Sequence, residues 1–315
     1  MSAFLRTFSL PSFIGLGGYG LYVIARNTIF LGQEDLQLCD YYSQPIEMST
    51  ELKDIEKEII LKLDWEVKLL ANIRLFMSEE IEMCHRGLIN AKGGAIIGIP
   101  QTFHCHKVSD ISCWDDICKF YNISVDKSSP ESAKELGEAL ILSNKAKKFA
   151  IAREVFLAKS HHKFMPLLFM FSSGFLTYTV WYYLDKPLKS KALIRNCVHI
   201  FGILLMVKLY LEMMIVYTRR LERKVDVEAC KMEEDYAKGG IEYYDKLIKT
   251  RQVVSHLQND KELSIIDQML SIISSFSRSR HLTLEDRRKT VENYVQKLTE
   301  DQKSTNSQIG LDNSI

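Results

Sequence analysis

Residues 165 to 184 read MPLLFMFSSGFLTYTVWYYL, an uncharged run that closes on the aromatic cluster Trp181-Tyr182-Tyr183. Whether this stretch lies in a protein core or in lipid decides the fold class. The hydrocarbon core of a bilayer takes about 20 apolar residues of helix, and aromatic rings of this kind gather at headgroup level. After the short basic connection DKPLKSKALIRN comes a second apolar segment, Cys197 to Tyr217, CVHIFGILLMVKLYLEMMIVY. The connection is too short to hold a domain, so the two segments read as a helical hairpin. Their length and unbroken apolarity place that hairpin in a membrane. Within the second segment Lys208 and Glu212 stand four apart, share a helix face and can neutralise each other. An ionisable pair inside a span is a functional candidate by default, and a mutually paired couple facing neighbouring helices is the plainer alternative.

Upstream, the first 33 residues contain Arg6 and Arg26 but no acid, the charge bias of an organelle-directed N-terminus. From Leu10 the apolar run LPSFIGLGGYGLYVIA continues to Leu31, about the length of one span, with Arg26 near its end to snorkel toward the interface. No A-x-A cleavage box follows, so residues 1–33 read as an uncleaved anchor. Gly15 to Gly20 fits the G-x-G-x-x-G nucleotide pattern, but no strand leads into it and no βαβ unit follows; glycines that thin a membrane helix explain it better.

Residues 34–164 read as a soluble α-rich block with a small β element. Leu52, Ile55, Ile59, Leu63, Val67, Leu70, Ile73 and Met77 recur at helical spacing and predict one amphipathic helix from Glu51 to Cys84. The β-branched stretches AIIGIPQTF and KFYNISV predict a small sheet or ribbon. Ser129-Pro130-Glu131 opens a helix expected to run on to Ser160. Beyond the hairpin, residues 218–298 form a C-terminal helical region that begins as a long exposed helix, and residues 299–315 form a polar, disordered tail. Gly239-Gly240 lacks a preceding strand and the lysine of a phosphate loop. It reads as a left-handed helix cap after which the chain restarts at Ile241, with Glu242 at the positive end of a new helix and Tyr243, Tyr244 and Leu247 aimed at a packing partner.

The balance of 41 basic and 40 acidic residues gives no field that would drive the chain toward nucleic acid. Seven scattered cysteines without a C-x-x-C pair do not form a secreted disulfide framework, although one bridge among Cys105, Cys113 and Cys118 is allowed. Asn122-Ile123-Ser124 is a formal glycosylation sequon, relevant only in the secretory pathway. Cys84-His85 and His104-Cys105-His106, followed by Cys113 and Cys118, are the most metal-like group, with thiolate and imidazole suited to zinc or copper. Neighbours in an H-C-H triplet point apart on a strand, however, and isolated buried cysteines with surface histidines are the better reading. His161-His162 reads as an interfacial pair rather than a ligand pair. No G-x-S-x-G, H-E-x-x-H or P-loop occurs, so nothing positive supports an enzyme, and no cofactor is expected.

Three stretches in a fixed order around the hairpin carry a family resemblance: GAIIGIPQTF (Gly94 to Phe103), LSNKAKKFAIAREV (Leu142 to Val155) and GGIEYYDKLI (Gly239 to Ile248). Together with RHLTLEDRR (Arg280 to Arg288) they resemble the transmembrane protein 177 family from about Gly93 onward. The motif positions carried over as interaction candidates are Gly98, Pro100, Phe149, Arg153, Glu154, Gly239, Gly240, Glu242, Tyr243, Tyr244 and Lys246. The resemblance implies a non-enzymatic, multi-pass protein of the mitochondrial inner membrane. Its implied partners are the lipid bilayer, cytochrome c oxidase subunit two and that subunit's small assembly chaperone. A copper-handling role for the cysteine and histidine cluster is the alternative.

Overall fold

The computed structural model describes residues 47–78, 80–123, 130–188, 192–258 and 280–312, with positions 18, 22 and 25. In chain order these form α1 (Thr50–Lys62), α2 (Val67–Leu70), β1 (Ile73–Ser78), β2 (Cys84–Gly87), β3 (Ala95–Pro100), two 3-10 turns (Gln101–His104, Val108–Asp110), α3 (Trp114–Phe120), α4 (Pro130–Leu140), α5 (Asn144–Lys159), α6 (Met165–Leu188), α7 (Ala192–Lys231), α8 (Glu234–Gln258) and α9 (Leu284–Asp312). The fold is mainly α with one small sheet. The expected N-terminal anchor, apart from three positions, and residues 259–279 of the expected C-terminal helical region lie outside the described residues.

The helix expected from Glu51 to Cys84 is cut short. Ser49 caps α1 by accepting from the Leu52 amide at 3.3 Å, and Leu52, Ile55 and Ile59 bury its apolar face. At Leu63 the backbone turns extended, and Ile73 to Ser78 become β1 instead of further helix. Tertiary pairing overrides the helical spacing here: β1 runs parallel to β3 with Ile73 opposite Ala95, while β2 runs antiparallel on the other side with Cys84 opposite Gly98. All six residues of β3 are buried, as a continuous apolar run demands in a strand covered on both faces. The described part of KFYNISV, Lys119 to Ile123, forms no strand. Its Lys119 and Phe120 end α3, and Asn122 takes a φ of 53°, the left-handed conformation that asparagine tolerates and a strand does not use.

The helix expected from Pro130 to Ser160 is two helices. Ser143 breaks it by capping α5, its hydroxyl accepting from the Ala146 amide at 3.3 Å. Alpha5 is the hub of the fold, packed against α8 and α7 on one side and against α1, β2 and β3 on the other. That position explains its composition: Ala146, Phe149, Ala150, Ile151, Ala152 and Ala158 are all fully buried, and small alanines let the neighbours approach closely.

The diglycine is not a corner. The chain turns at Met232 and Glu233, and Gly239-Gly240 lie inside α8. Their role is proximity, because a Cβ on Gly239 would fall 2.1 Å from the Lys145 carbonyl oxygen and one on Gly240 would fall 2.8 Å from the Phe149 ring. Glu242 likewise does not serve its own helix. Its carboxylate accepts from the Ser143 amide at 3.0 Å and from the Ser143 hydroxyl, so it stabilises the positive end of α5.

Alpha6 and α7 pack side by side as consecutive helices, with Phe175, Phe201 and Leu204 among the apolar side chains left exposed. Within the described residues, Ile200–Lys231 is long and apolar enough to cross a membrane, and only 6% of its most apolar window is buried. Lys208 and Glu212 are both exposed on it, and no ion pair joins them among the described residues. After Thr218 the same helix was expected to be exposed, yet Glu222, Val225, Asp226, Ala229 and Cys230 turn inward. The stretch expected as a disordered tail is helical through Asp312, in keeping with the helix-favouring Glu, Lys and Gln residues of Glu292 to Lys303. One hydrophobic cluster joins residues from before the hairpin (Leu52, Ile97, Phe149) to residues after it (Tyr236, Tyr244, Val291).

Candidate functional site

Where α5, α7, α8 and α9 converge, the core holds a charged network. Asp226 of α7 is completely buried and accepts four hydrogen bonds. Arg287 of α9 grips both of its oxygens, Nε at 2.9 Å and Nη2 at 2.6 Å; the Tyr244 hydroxyl donates at 2.7 Å, and Arg153 Nε donates at 3.2 Å. A bidentate arginine suits a buried carboxylate because its planar fork matches both oxygens. Arg153 extends the network by donating from Nη1 to Glu154 at 2.7 Å, and the second oxygen of Glu154 meets His85 Nδ1 at 2.9 Å. A turn away along α7, Glu222 accepts from the Leu282 amide at 2.8 Å and pairs with His281 Nδ1 at 2.6 Å.

Burial opposes the charges of Arg153, Glu154, Glu222 and Arg287, and there the partners prevail. Burial would raise the pKa of Glu154, but the Arg153 guanidinium and the His85 bond hold it below the usual carboxylate range. Glu222 is held low against its own burial by His281, Arg287 and the Leu282 amide. Tyr244 is pushed far up, first by burial, so its hydroxyl stays a donor to Asp226. Removing one partner from such a set leaves a buried charge uncompensated, at a cost of about 3–5 kcal/mol.

Beside the network lies a cavity of about 450 Å³ whose wall includes Pro100, Arg153, Glu154, Tyr243, Lys246 and Arg287. Five of the motif candidates, Pro100, Arg153, Glu154, Tyr243 and Lys246, therefore line it, and Phe149 and Tyr244 pack beside them. Phe149 meets Tyr243 and Tyr244 with ring centres 5.9 Å apart in each case, Tyr243 and Lys246 line the cavity, and Arg153 and Glu154 carry charge into it. Lys246 donates to the Glu138 carbonyl at 2.6 Å and thereby ties α8 to α4. Gly98 sits apart in β3, where the Cys84 sulfur occupies the space of a Cβ. Gly239, Gly240 and Glu242 set the contact of α8 with α5. Sequence reasoning missed Asp226, Arg287, Glu222, His281 and the inward role of His85. Two signals were available: the family stretch RHLTLEDRR holds His281 and Arg287, and Asp226 stands between two valines in VDVEAC, an unusual place for a surface charge.

The cysteine and histidine group does not assemble. Cys105, Cys113 and Cys118 are free thiols, so the allowed bridge does not form. Among the described residues no three of His, Cys, Asp and Glu are placed to hold a metal. Burial, joined by Glu80, pushes the Cys84 thiol up to about 12, and burial also raises Cys105, Cys113 and Cys118, all against the thiolate that a metal needs. His161-His162 is not a matched interfacial pair either: His161 is exposed, whereas His162 turns in toward His85, and burial followed by that ring pushes its pKa down to about 3.

Comparison with known proteins follows the same stretch of chain. A family model described as transmembrane protein 177 matches residues 51–289, which includes the sheet, the hairpin and the whole charged network. A curated protein of Danio rerio called transmembrane protein 177 is 25% identical over 275 residues, covering 83% of this chain and 85% of its own. No solved structure matches.

Proposed function

This chain belongs to the transmembrane protein 177 family, and from that premise we propose that it is a multi-pass scaffold of the mitochondrial inner membrane rather than an enzyme. In this reading it holds newly made cytochrome c oxidase subunit two together with that subunit's small membrane chaperone during assembly. One observation carries the membrane part. Residues before and after the hairpin share a single core, so both must lie on the same side of a bilayer. A lone crossing by α7 would separate them, whereas α6 entering and α7 returning keeps them together. The apolar surfaces of both helices are then turned to lipid or to a membrane client, which supplies the exposed Phe175, Phe201 and Leu204 with an environment.

The network fits a scaffold because its donors and acceptors are spent on one another, fixing α5, α8 and α9 around the foot of α7. The acid-free N-terminus agrees with a mitochondrial address. Two experiments test the reading. Carbonate extraction and protease protection of mitochondria should find the protein integral, with residues 47–164 and 218–298 protected or cleaved together; cleavage of one and protection of the other refutes the paired crossing. Purification of the tagged, folded chain in mild detergent should recover subunit two and its chaperone, and their absence from that material refutes the assembly role.

A further inference from the structure

We propose that the face of α7 turned away from α6 is the seam of a parallel pair between two copies of this chain, closed inside the bilayer by reciprocal ion pairs of Lys208 with Glu212. The inference rests on the paired crossing proposed above and not on the assembly role. The side chains that meet α6 fix which face is free. A Cβ on Gly202 would lie 3.7 Å from Thr177, Met206 lies opposite Gly174, and Tyr217 meets Phe169 with ring centres 5.5 Å apart. At about 100° per residue, Lys208 points about 150° and Glu212 about 110° away from the mean direction of Gly202, Met206 and Tyr217. Cys197, Phe201, Leu204, Lys208 and Glu212 succeed one another at steps of four, three, four and four, and each of them is exposed. That is the spacing of a helix-pairing seam, and α7 leaves it bare.

The charges decide what covers it. Lys208 stands near the midpoint of the apolar segment from Cys197 to Tyr217, about 14 Å along the helix from its nearer end. At that depth a snorkelling side chain falls short of the interface, and an uncovered charge in hydrocarbon is costly. Alpha6 offers no counter-ion, because it carries no charged residue from Met165 to Leu184. A bond along α7 itself would leave the remaining lysine hydrogens and carboxylate lone pairs facing lipid. A second copy carries the matching charges. Two chains in one membrane cross it in the same direction, so their two-fold axis runs along the bilayer normal and equivalent residues stand level. Lys208 of one chain then lies about 6 Å along the axis from Glu212 of the other, roughly one helical turn, and symmetry repeats the contact. The resulting ring of lysines and glutamates has no net charge, and every ion in it gains a partner across the seam. Phe201 and Leu204, 66% and 63% exposed, are covered by the same contact.

Cys197 supplies the probe for the test. It is a free, exposed thiol at the end of the same stripe, and a parallel pair brings it opposite its counterpart. Full-length chains carrying either of two tags are co-expressed at low level, and their isolated membranes are oxidised with copper phenanthroline. Expected are co-purification of the two tags and a reducible dimer that Cys197→Ser abolishes. Lys208→Glu alone and Glu212→Lys alone should each weaken pairing about tenfold, since each gathers like charges at the seam. Co-expressing the two variant chains, one with two acids and the other with two bases, should restore pairing, a rescue that no contact within a single helix can produce. Carbonate extraction checks the insertion of every chain; where a charge reversal fails to insert, Lys208→Gln and Glu212→Gln replace it, each expected to weaken the cross-link. An integral chain that gives neither co-purification nor a Cys197-dependent dimer overturns the pairing. So does a dimer that the charge variants leave undiminished, a mixture that fails to restore pairing, or a Cys197 cross-link to a different membrane protein instead. Release of the unmodified chain by carbonate overturns the paired crossing itself, and this inference with it.

Discussion

Replacing Gly239 with alanine sets two physical effects against each other, and the structure decides the winner. On helix propensity alone the change should help, since alanine is favoured over glycine in a helix interior by about 1 kcal/mol. The new methyl, however, falls 2.1 Å from the Lys145 carbonyl oxygen, 2.3 Å from its carbon and 2.8 Å from the Ala146 nitrogen. These are backbone atoms at the capped start of α5 and cannot rotate away. To reach an ordinary contact of 3.4 Å, α8 must withdraw by about 1.3 Å, which also loosens Tyr243 and Tyr244 from Phe149. Overpacking of this kind costs about 3 kcal/mol, leaving a net loss near 2 kcal/mol after the propensity gain. For a core of this size that corresponds to a fall in Tm of roughly 4–8 °C. Thermal unfolding in detergent, followed by near-ultraviolet circular dichroism, reads it directly. Gly240→Ala meets the Phe149 ring at 2.8 Å, and a ring can tilt, so its loss should be smaller. A Tm for Gly239→Ala equal to or above that of the unmodified protein would falsify the close-approach argument.

The charged network and the caps give further tests. Asp226→Ala should cost about 3–5 kcal/mol by stranding Arg287 and Arg153, and a combined Asp226→Leu, Arg287→Met chain should recover much of that loss; equal losses in both chains would show that packing, not the buried charge, was removed. Ser143→Ala removes the α5 cap and the partner of Glu242, and denaturant unfolding should register a loss of about 1 kcal/mol. Glu222 is held below its ordinary pKa when folded, so its contribution is complete above the unfolded value of about 4.3 and disappears as pH falls through the folded one. Glu222→Gln should therefore flatten the stability profile below pH ~4.3, and an unchanged acid limb counts against the pairing with His281 and Arg287.

The sequence was most informative where a single local pattern governs structure, and least where distant partners do. The packed helices α6 and α7, the central strand AIIGIP and the helix start at Pro130 are dictated by runs of apolar residues or by backbone chemistry within a few positions. Ile73 and Met77, by contrast, repeat at helical spacing but become strand because Ala95 to Pro100 offers a parallel edge, a fact that lies twenty residues downstream. The diglycine misleads for the same reason. A left-handed cap and a close helix contact both require glycine, and only the position of Lys145 distinguishes them. The charged site was half legible: Arg153, Glu154, Tyr243 and Tyr244 fall in motifs that precede and follow the hairpin, while their common partner Asp226 sits in a stretch whose charge resembles a solvated surface.

That partner links the site to the membrane. Alpha7 is one helix of 40 residues, about 60 Å long, and its two halves obey different rules. The half around Phe201 and Leu204 is bare and apolar, whereas the half from Glu222 to Cys230 is built into the core. Tyr217, at the end of the apolar half, stands nine residues from Asp226, about 14 Å along an unbroken helix. No flexible linker intervenes, so under the assembly role proposed above a tilt of α7 imposed by a client in the bilayer must either move Asp226 against Arg287 and Tyr244 or carry α5, α8 and α9 with it. The first course strands buried charges, so the second is cheaper. The soluble core should thus follow the hairpin as a rigid body, with its orientation at the membrane surface fixed by the span itself. A four-residue Gly-Ser insertion after Thr218, where α7 leaves its apolar half, would uncouple the two; client binding at full strength by that insertion chain would refute the coupling.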